Sequence, residues 1–210
     1  MLAASFLTVL TAQADIVSFT GTVYHDSGNL LNASTAATGT AIGGFSGSAI
    51  HFDINSPEGS GTPMSNFFTG VTTDSTLTSS VWWNRVMSDP TDAFRHGIYS
   101  TGVIIDGTAS FNPGDTITIT HDDGAILTLE GLGAVINSGS PTPAVGSTYT
   151  FANAFNGTFD LQYMATNGNP EELNFTTKLA PVPEPSSITL FGAGLIGFAG
   201  IVRKKYASRQ

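Results

Sequence analysis

The chain has 210 residues and a formal net charge of −9, because sixteen acidic residues outweigh seven basic ones. Four of the basic residues follow residue 202, so the preceding part of the chain is more acidic still. Such a surface repels nucleic acid and anionic membranes, which argues against nucleic acid as a partner and is compatible with divalent cations and neutral sugars. The chain has no cysteine, which excludes disulfides and thiolate metal sites.

The first fourteen residues are predicted to be a signal peptide. They form a short apolar run that ends in Ala12-Gln13-Ala14, and this small-x-small triplet is typical of a signal-peptidase site. The mature chain would then begin at Asp15. No Lys or Arg precedes the apolar run, although a signal peptide normally has a basic n-region. A start codon further upstream is therefore an alternative to Met1. The alternative is an apolar N-terminal strand.

Residues 15–179 are predicted to form one all-β domain. They are rich in Gly, Ser, Thr and Asn, with runs in which apolar and polar residues alternate and turn pairs between the runs. No helix of any length is expected before Ser187, and 30–44 is expected to be a loop or a weak strand pair. The predicted strands are 16–24, 47–54, 66–71, 75–85, 98–105, 107–111, 115–121, 125–130, 132–136, 149–151, 157–164 and 172–178, with turns at Asp106-Gly107, Pro113-Gly114 and Asp123-Gly124.

Residues 102–177 carry an ordered set of landmarks. These are P-G-D-T-I-T from Pro113, H-D-D-G from His121, Tyr163 and an N-G-N loop from Asn167, with Leu127, Gly131 and Leu173 between and after them. In this order they resemble the second half of a PA14-type β-sandwich of jelly-roll type, the fold that the GLEYA lectin domains of fungal adhesins also use. The resemblance spans about seventy residues and implies an all-β sandwich with a binding function.

The same resemblance implies a calcium site. In the calcium-dependent lectins of that family, two successive Asp residues and a downstream Asn hold Ca²⁺, and the ion coordinates sugar hydroxyls. The corresponding residues here are Asp122, Asp123 and Asn167. Adjacent carboxylates repel each other, and a hard cation with oxygen ligands relieves that repulsion. The alternative is that Asp123-Gly124 is a hairpin turn with Asp122 exposed.

Other residues give weaker indications. The four histidines lack metal-ligand spacing. Trp82 and Trp83 are consecutive, so on a strand one would enter the core and the other would be exposed and free to stack on a sugar. A secreted glycoside hydrolase or other hydrolase is the alternative function. The adjacent pair Glu171-Glu172 would point to opposite faces of a strand, which argues against joint acid and base catalysis.

The end of the chain has three parts in a fixed order. A Pro-rich linker at 180–187 contains Val182, Pro183, Glu184 and Pro185, and proline keeps this segment extended. An uncharged, Gly-rich stretch at 188–202 is predicted to be a transmembrane helix. The tail at 203–210 begins with Arg203, Lys204 and Lys205, which by the positive-inside rule would stop transfer and stay cytoplasmic.

This order resembles the PEP-CTERM sorting signal of bacterial exosortase substrates. The resemblance implies a Gram-negative source, export, a transient anchor in the inner membrane, and processing by an exosortase. The product would reach the cell surface or extracellular matrix, where extracellular polysaccharide is the expected partner. The alternative is a single buried or membrane-anchoring helix.

Overall fold

A computed structural model describes residues 15–28, 32–48, 52–55, 62–89, 99–168 and 170–180. The predicted signal peptide with Ala12 and Ala14, the motif at Val182–Pro185, the transmembrane helix and the basic stop signal all lie outside these residues and stay predictions. Within the described ranges, none of the helices is both long enough and apolar enough to cross a bilayer.

The described residues form two antiparallel sheets. The larger sheet has seven strands in the order β4-β2-β1-β5-β10-β7-β8, and the smaller has four in the order β3-β11-β6-β9. The strands are β1 (Asp15–Asp26), β2 (Thr40–Gly47), β3 (Phe52–Asn55), β4 (Thr72–Thr73), β5 (Ser100–Phe111), β6 (Thr116–His121), β7 (Gly124–Leu129), β8 (Gly133–Ser138), β9 (Val145–Thr150), β10 (Phe155–Ala165) and β11 (Glu172–Lys178).

The core lies between the two sheets. Alternate residues of β10, among them Phe159, Leu161 and Tyr163, are buried and belong to one hydrophobic cluster. Phe175 of β11 in the smaller sheet is buried in the same cluster, and its ring lies 6.2 Å from that of Phe159. This two-residue alternation is the pattern of strands with one face in the core, so the prediction of an all-β sandwich is confirmed.

Two predicted strands in the first half of the domain are wrong. Residues 66–71 comprise the end of a short helix α1 (Met64–Phe67) and the turn after it, and residues 75–85 form a short helix α2 (Ser75–Ser79) and a run of turns. The Asp74 side chain caps α2 by accepting a hydrogen bond of 2.7 Å from the Leu77 N–H. This N-cap stabilises the helical turn and outweighs the strand propensity of the threonines around it.

Most of strand β2 lies in the segment 30–44, which was expected to be a loop or a weak strand pair. One of its residues, Gly43, has a φ of +148°. A Cβ at that position would lie 2.3 Å from the Leu77 backbone nitrogen, so only glycine lets α2 pack this closely on the strand. The expected turn at Asp106-Gly107 is also wrong, because both residues lie within β5 and pair with β1 and β10 on either side.

The register of β6 and β11 defines two ends of the sandwich. At one end His121 lies opposite Leu173, and at the other end Thr116 lies opposite Lys178. We call the first end, where Asp122 and Asp123 follow β6, the carboxylate end. The second end, where the described chain finishes at residue 180, we call the tail end.

Candidate functional site

Asp122 and Asp123 cross from one sheet to the other. They join β6 of the smaller sheet to β7 of the larger one, so they are not a hairpin turn between paired strands, and that alternative is wrong. Asp123 has a φ of +62°, in the left-handed region. Its N–H donates to the Thr142 carbonyl at 2.8 Å, and its own carbonyl accepts the Thr142 hydroxyl at 3.0 Å. These bonds hold the uncommon conformation.

The Asp123 carboxylate points into the protein. Only 2% of the residue is exposed, and Oδ2 accepts the Thr166 N–H at 2.6 Å. Burial, together with the negative charges of Asp122 and Glu171, raises the pKa of Asp123 to about 8, although the hydrogen bond from Thr166 acts to lower it. Asp123 therefore binds a proton near neutral pH when no cation is close.

Glu171 is a second buried carboxyl at this end. The residue is fully buried, and Oε1 accepts a long hydrogen bond of 3.5 Å from the Ser88 hydroxyl. Burial and the neighbouring charge of Asp122 raise the pKa of Glu171 to about 7. The other oxygen, Oε2, is buried without a hydrogen-bond partner among the described residues. Burying a carboxylate oxygen without a hydrogen-bond partner lowers the stability of the folded state.

Ser88 connects Glu171 to the loop after β10. The Ser88 hydroxyl oxygen accepts the Gly168 N–H at 2.8 Å. Asn167, the third predicted calcium ligand, is next to Gly168; it is exposed and has a φ of +65°. Two hydrogen bonds therefore hold this loop at the carboxylate end, one from the Thr166 N–H to Asp123 and one from the Gly168 N–H to Ser88.

The aspartates and the loop that carries Asn167 therefore lie at the same end of the sandwich. The described residues contain no group of three or more His, Asp or Glu side chains placed to hold a metal ion. A cation at Asp122 and Asp123 would need amide and main-chain oxygens as well, which is the ligand mixture that Ca²⁺ accepts.

Sequence reasoning missed the residues that support the aspartates. Glu171 was considered only as one of two adjacent acids on opposite faces of a strand, yet it is fully buried where the chain enters β11. Ser88 and Thr166 are distant in sequence and contribute through one hydroxyl and one main-chain N–H. Contacts of this kind leave no sequence pattern.

The two tryptophans do not divide into one core and one exposed residue. Both are half-buried in the turns after α2 and pack against the core. Trp82 stacks on His25 with 3.6 Å between ring centroids, and the Arg85 guanidinium lies 5.0 Å from the Trp82 ring. Trp83 lies 6.3 Å from the Phe68 ring. Their rings contribute to packing rather than to an open stacking platform.

A second acidic surface lies on the outer face of the larger sheet. Asp106 of β5 and Asp160 of β10 are directly opposite each other across the strands. Burial raises the pKa of Asp160, and the charge of Asp106 adds to this effect. The groove around them has a volume of about 600 Å³ and is also lined by Thr108, Thr128 and Thr158.

One family model matches the chain. Residues 181–204 match the PEP-CTERM protein-sorting motif. This match covers the predicted linker and apolar stretch, and it implies that the chain is exported and processed by an exosortase. No curated protein matches the chain significantly.

Several solved structures are similar to the domain. The PA14 domain of the antifreeze protein MpAFP is 12% identical, with a TM-score of 0.54 over 84% of this chain and 89% of that one. The PA14 sugar-binding domain of an RTX adhesin is 15% identical, with a TM-score of 0.48 over 78% and 90%. An α-xylosidase of Xanthomonas citri is 13% identical, with a TM-score of 0.42 over 79% of this chain and 14% of its own. The first of these similarities shows that the domain has the PA14 fold.

The buried carboxyls predict a pH dependence of stability without calcium. The pKa values of Asp123 and Glu171 lie above those of unfolded carboxyls, which are about 4, so the folded state holds these protons more tightly. Their contribution to the free energy of unfolding is therefore complete below about pH 4 and is lost as the pH rises through about 8. Urea unfolding in EDTA at a series of pH values measures this loss.

Asp123→Asn serves as the comparison. Its amide oxygen can still accept the Thr166 N–H, but it has no proton to lose, so the decline in stability with pH should be shallower. Burial lowers the pKa values of His25 and His121, so these two groups make the protein more stable as the pH rises. Both proteins contain these histidines, so their effect cancels when the stability of Asp123→Asn is compared with that of wild type. Equal slopes in both proteins would show that Asp123 ionises normally.

Proposed function

We propose that this is an exported binding protein of the cell surface or extracellular matrix, whose β-sandwich binds glycans through a calcium ion at Asp122 and Asp123. The observation that carries the proposal is the burial of Asp123 together with Glu171 at a crossing between the sheets. Within the described residues, neither carboxyl has a Lys or Arg among the charges that shift its pKa. A bound cation would supply the missing positive charge.

The residues divide into ligands and supports. Asp122, 9% exposed, and Asp123 would coordinate the ion together with Asn167. Glu171 lies behind them and adds negative charge, which raises the attraction for a divalent cation. Ser88 connects Glu171 to the loop that carries Asn167, so these groups fix the ligand loop before the ion binds.

Glycan recognition follows from the small number of protein ligands. Ca²⁺ takes about six to eight oxygen ligands, more than two aspartates and one asparagine provide. Sugar hydroxyl groups could fill the remaining positions. An acidic surface is compatible with a neutral glycan but disfavours polyanions, because like charges repel.

A secreted glycoside hydrolase is the alternative function. It would need two carboxyls on one cleft, and three carboxyls, those of Asp106, Glu130 and Asp160, line a common groove. That groove lies on the open outer face of a sheet, where the carboxyls remain accessible to water. Asp123 and Glu171, by contrast, are buried and leave no room for a substrate sugar between them. The arrangement therefore favours a binder.

The sorting signal determines where the binder acts. The motif at 181–204 follows the domain directly. After export, the apolar stretch would hold the chain in the inner membrane while Pro183, Glu184 and Pro185 are presented to the exosortase. Release would then deliver the domain to the surface or matrix, where extracellular polysaccharide is abundant.

Calcium dependence is the first prediction. A labelled protein of residues 15–180 should bind at least one neutral glycan on an array in millimolar Ca²⁺, and binding should disappear in EDTA. Asp122→Asn and Asp123→Asn should reduce binding by about tenfold or more, since each removes a charged ligand, and Asn167→Ala should reduce it less. Asp106→Asn is the matched control and should bind like wild type.

Glycan binding that is equal in Ca²⁺ and in EDTA would refute the calcium site. Glycoside hydrolysis that is lost only in Asp106→Asn would support the hydrolase.

Sorting gives the second prediction. Replacing Pro183 and Pro185 by Ala removes the restraint that keeps the motif extended, so a helix can extend over it. The full-length precursor should then accumulate in the inner membrane, which fractionation and immunoblotting would detect. Glu184→Gln, which keeps both prolines, separates the effect of shape from that of charge. Normal delivery of the double proline variant would contradict the proposed role of the motif.

A further inference from the structure

The chain leaves the domain at a fixed point. The Ala180 N–H donates to Asp115 Oδ1 at 2.7 Å, and Asp115 Oδ2 accepts the Asn112 N–H at the same distance. Asp115 is 2% exposed, so this carboxylate is a buried clamp and not a surface contact. It fixes the last described residue to the turn between β5 and β6.

The sorting motif begins almost immediately afterwards. Only Pro181 and Val182 separate Ala180 from Pro183. Three residue steps span at most about 11 Å of extended chain, and two packed sheets are separated by about 10 Å. An enzyme that recognises Pro183 therefore has to come within about 11 Å of the tail end of the folded domain.

The tail end presents an apolar surface at this place. Leu132 is 52% exposed and Leu179 is 44% exposed, and both belong to the small set of exposed large apolar residues among those described. A groove of about 310 Å³ adjoins Leu132; we call it the tail-end groove, and it is lined by residues 130–132, Tyr149 and residues 151–156.

The loop that lines the tail-end groove is hydrogen-bonded to the turn from which the chain leaves the domain. The Gly114 N–H donates to the Phe151 carbonyl at 2.7 Å, and the Phe151 N–H donates to the Asp115 carbonyl at 2.9 Å. Asp115 of the same turn accepts the Ala180 N–H. One turn therefore connects the groove to the point where the described chain finishes.

We propose that the enzyme that processes the sorting motif also docks on the tail-end groove, with an apolar surface beside its active site. The proposal rests on the proposed exosortase processing and adds a second recognition element on the folded domain. The short spacing favours the enzyme over the lipid surface as the partner. The predicted membrane helix starts eight residues after Ala180, which allows about 29 Å of extended chain and does not force the domain onto the bilayer.

Pulse–chase processing of the full-length precursor tests the docking. Leu132→Ser should slow conversion about fivefold, as expected for the loss of one central interface contact. Val145→Ser is the matched control: Val145 is 41% exposed but lies opposite His121, at the carboxylate end, and its substitution should change nothing. Because Leu132 is in an exposed turn, the variant should fold normally, which circular dichroism checks.

A second pair of precursors separates the partners. An insertion of about ten Gly and Ser residues after Ala180 lets the enzyme reach the motif without touching the domain, so Leu132→Ser should then be processed like wild type. Conversion of Leu132→Ser at the wild-type rate with the native spacing would overturn the proposal. Equal slowing with and without the insertion would overturn it in favour of contact with lipid. A wild-type precursor that is never processed would instead refute the sorting function on which the proposal rests.

Discussion

The carboxylate end depends on one hydrogen bond, that from the Thr166 N–H to Asp123 Oδ2 at 2.6 Å. It connects the crossing between the two sheets to the loop after β10, and through Ser88 that loop is joined to the buried Glu171. The bond favours a charged Asp123, whereas burial and neighbouring carboxyls favour a protonated one. Either bound protons or a bound cation can neutralise the negative charge of these buried carboxyls. Only a cation would also offer coordination positions to a ligand.

The proposed binding site and the exit of the chain lie at opposite ends of strand β6. At one end Asp122 and Asp123 follow β6, and at the other end Asp115 precedes it and clamps Ala180. Strand β6 is six residues long, so the proposed binding site and the exit of the sorting segment lie about 20 Å apart. Glycan binding and processing can therefore proceed without competing for the same surface, and removal of the tail leaves the binding site intact.

The sequence predicted the second half of the domain well and the first half poorly. Strand β11 has the predicted bounds, because Glu172–Lys178 alternates strictly and pairs on both sides. The segment of α2 was misassigned because a local cap at Asp74 determined the outcome there. Strand β2 was predicted only as a loop or a weak strand pair, and its Gly43 is required by the close packing of α2.

The sequence points to the two aspartates of the candidate site but not to the residues that support them. Two consecutive aspartates are visible in a sequence, whereas the burial of Glu171 depends on the sandwich closing around it. Calorimetric titration of residues 15–180 with Ca²⁺ tests the central claim most directly. The account predicts saturable binding of about one ion per chain, accompanied by proton release, because Asp123 and Glu171 must ionise to face the ion. Heats no larger than those of dilution would contradict it and leave a PA14 sandwich whose buried carboxyls are satisfied by protons alone.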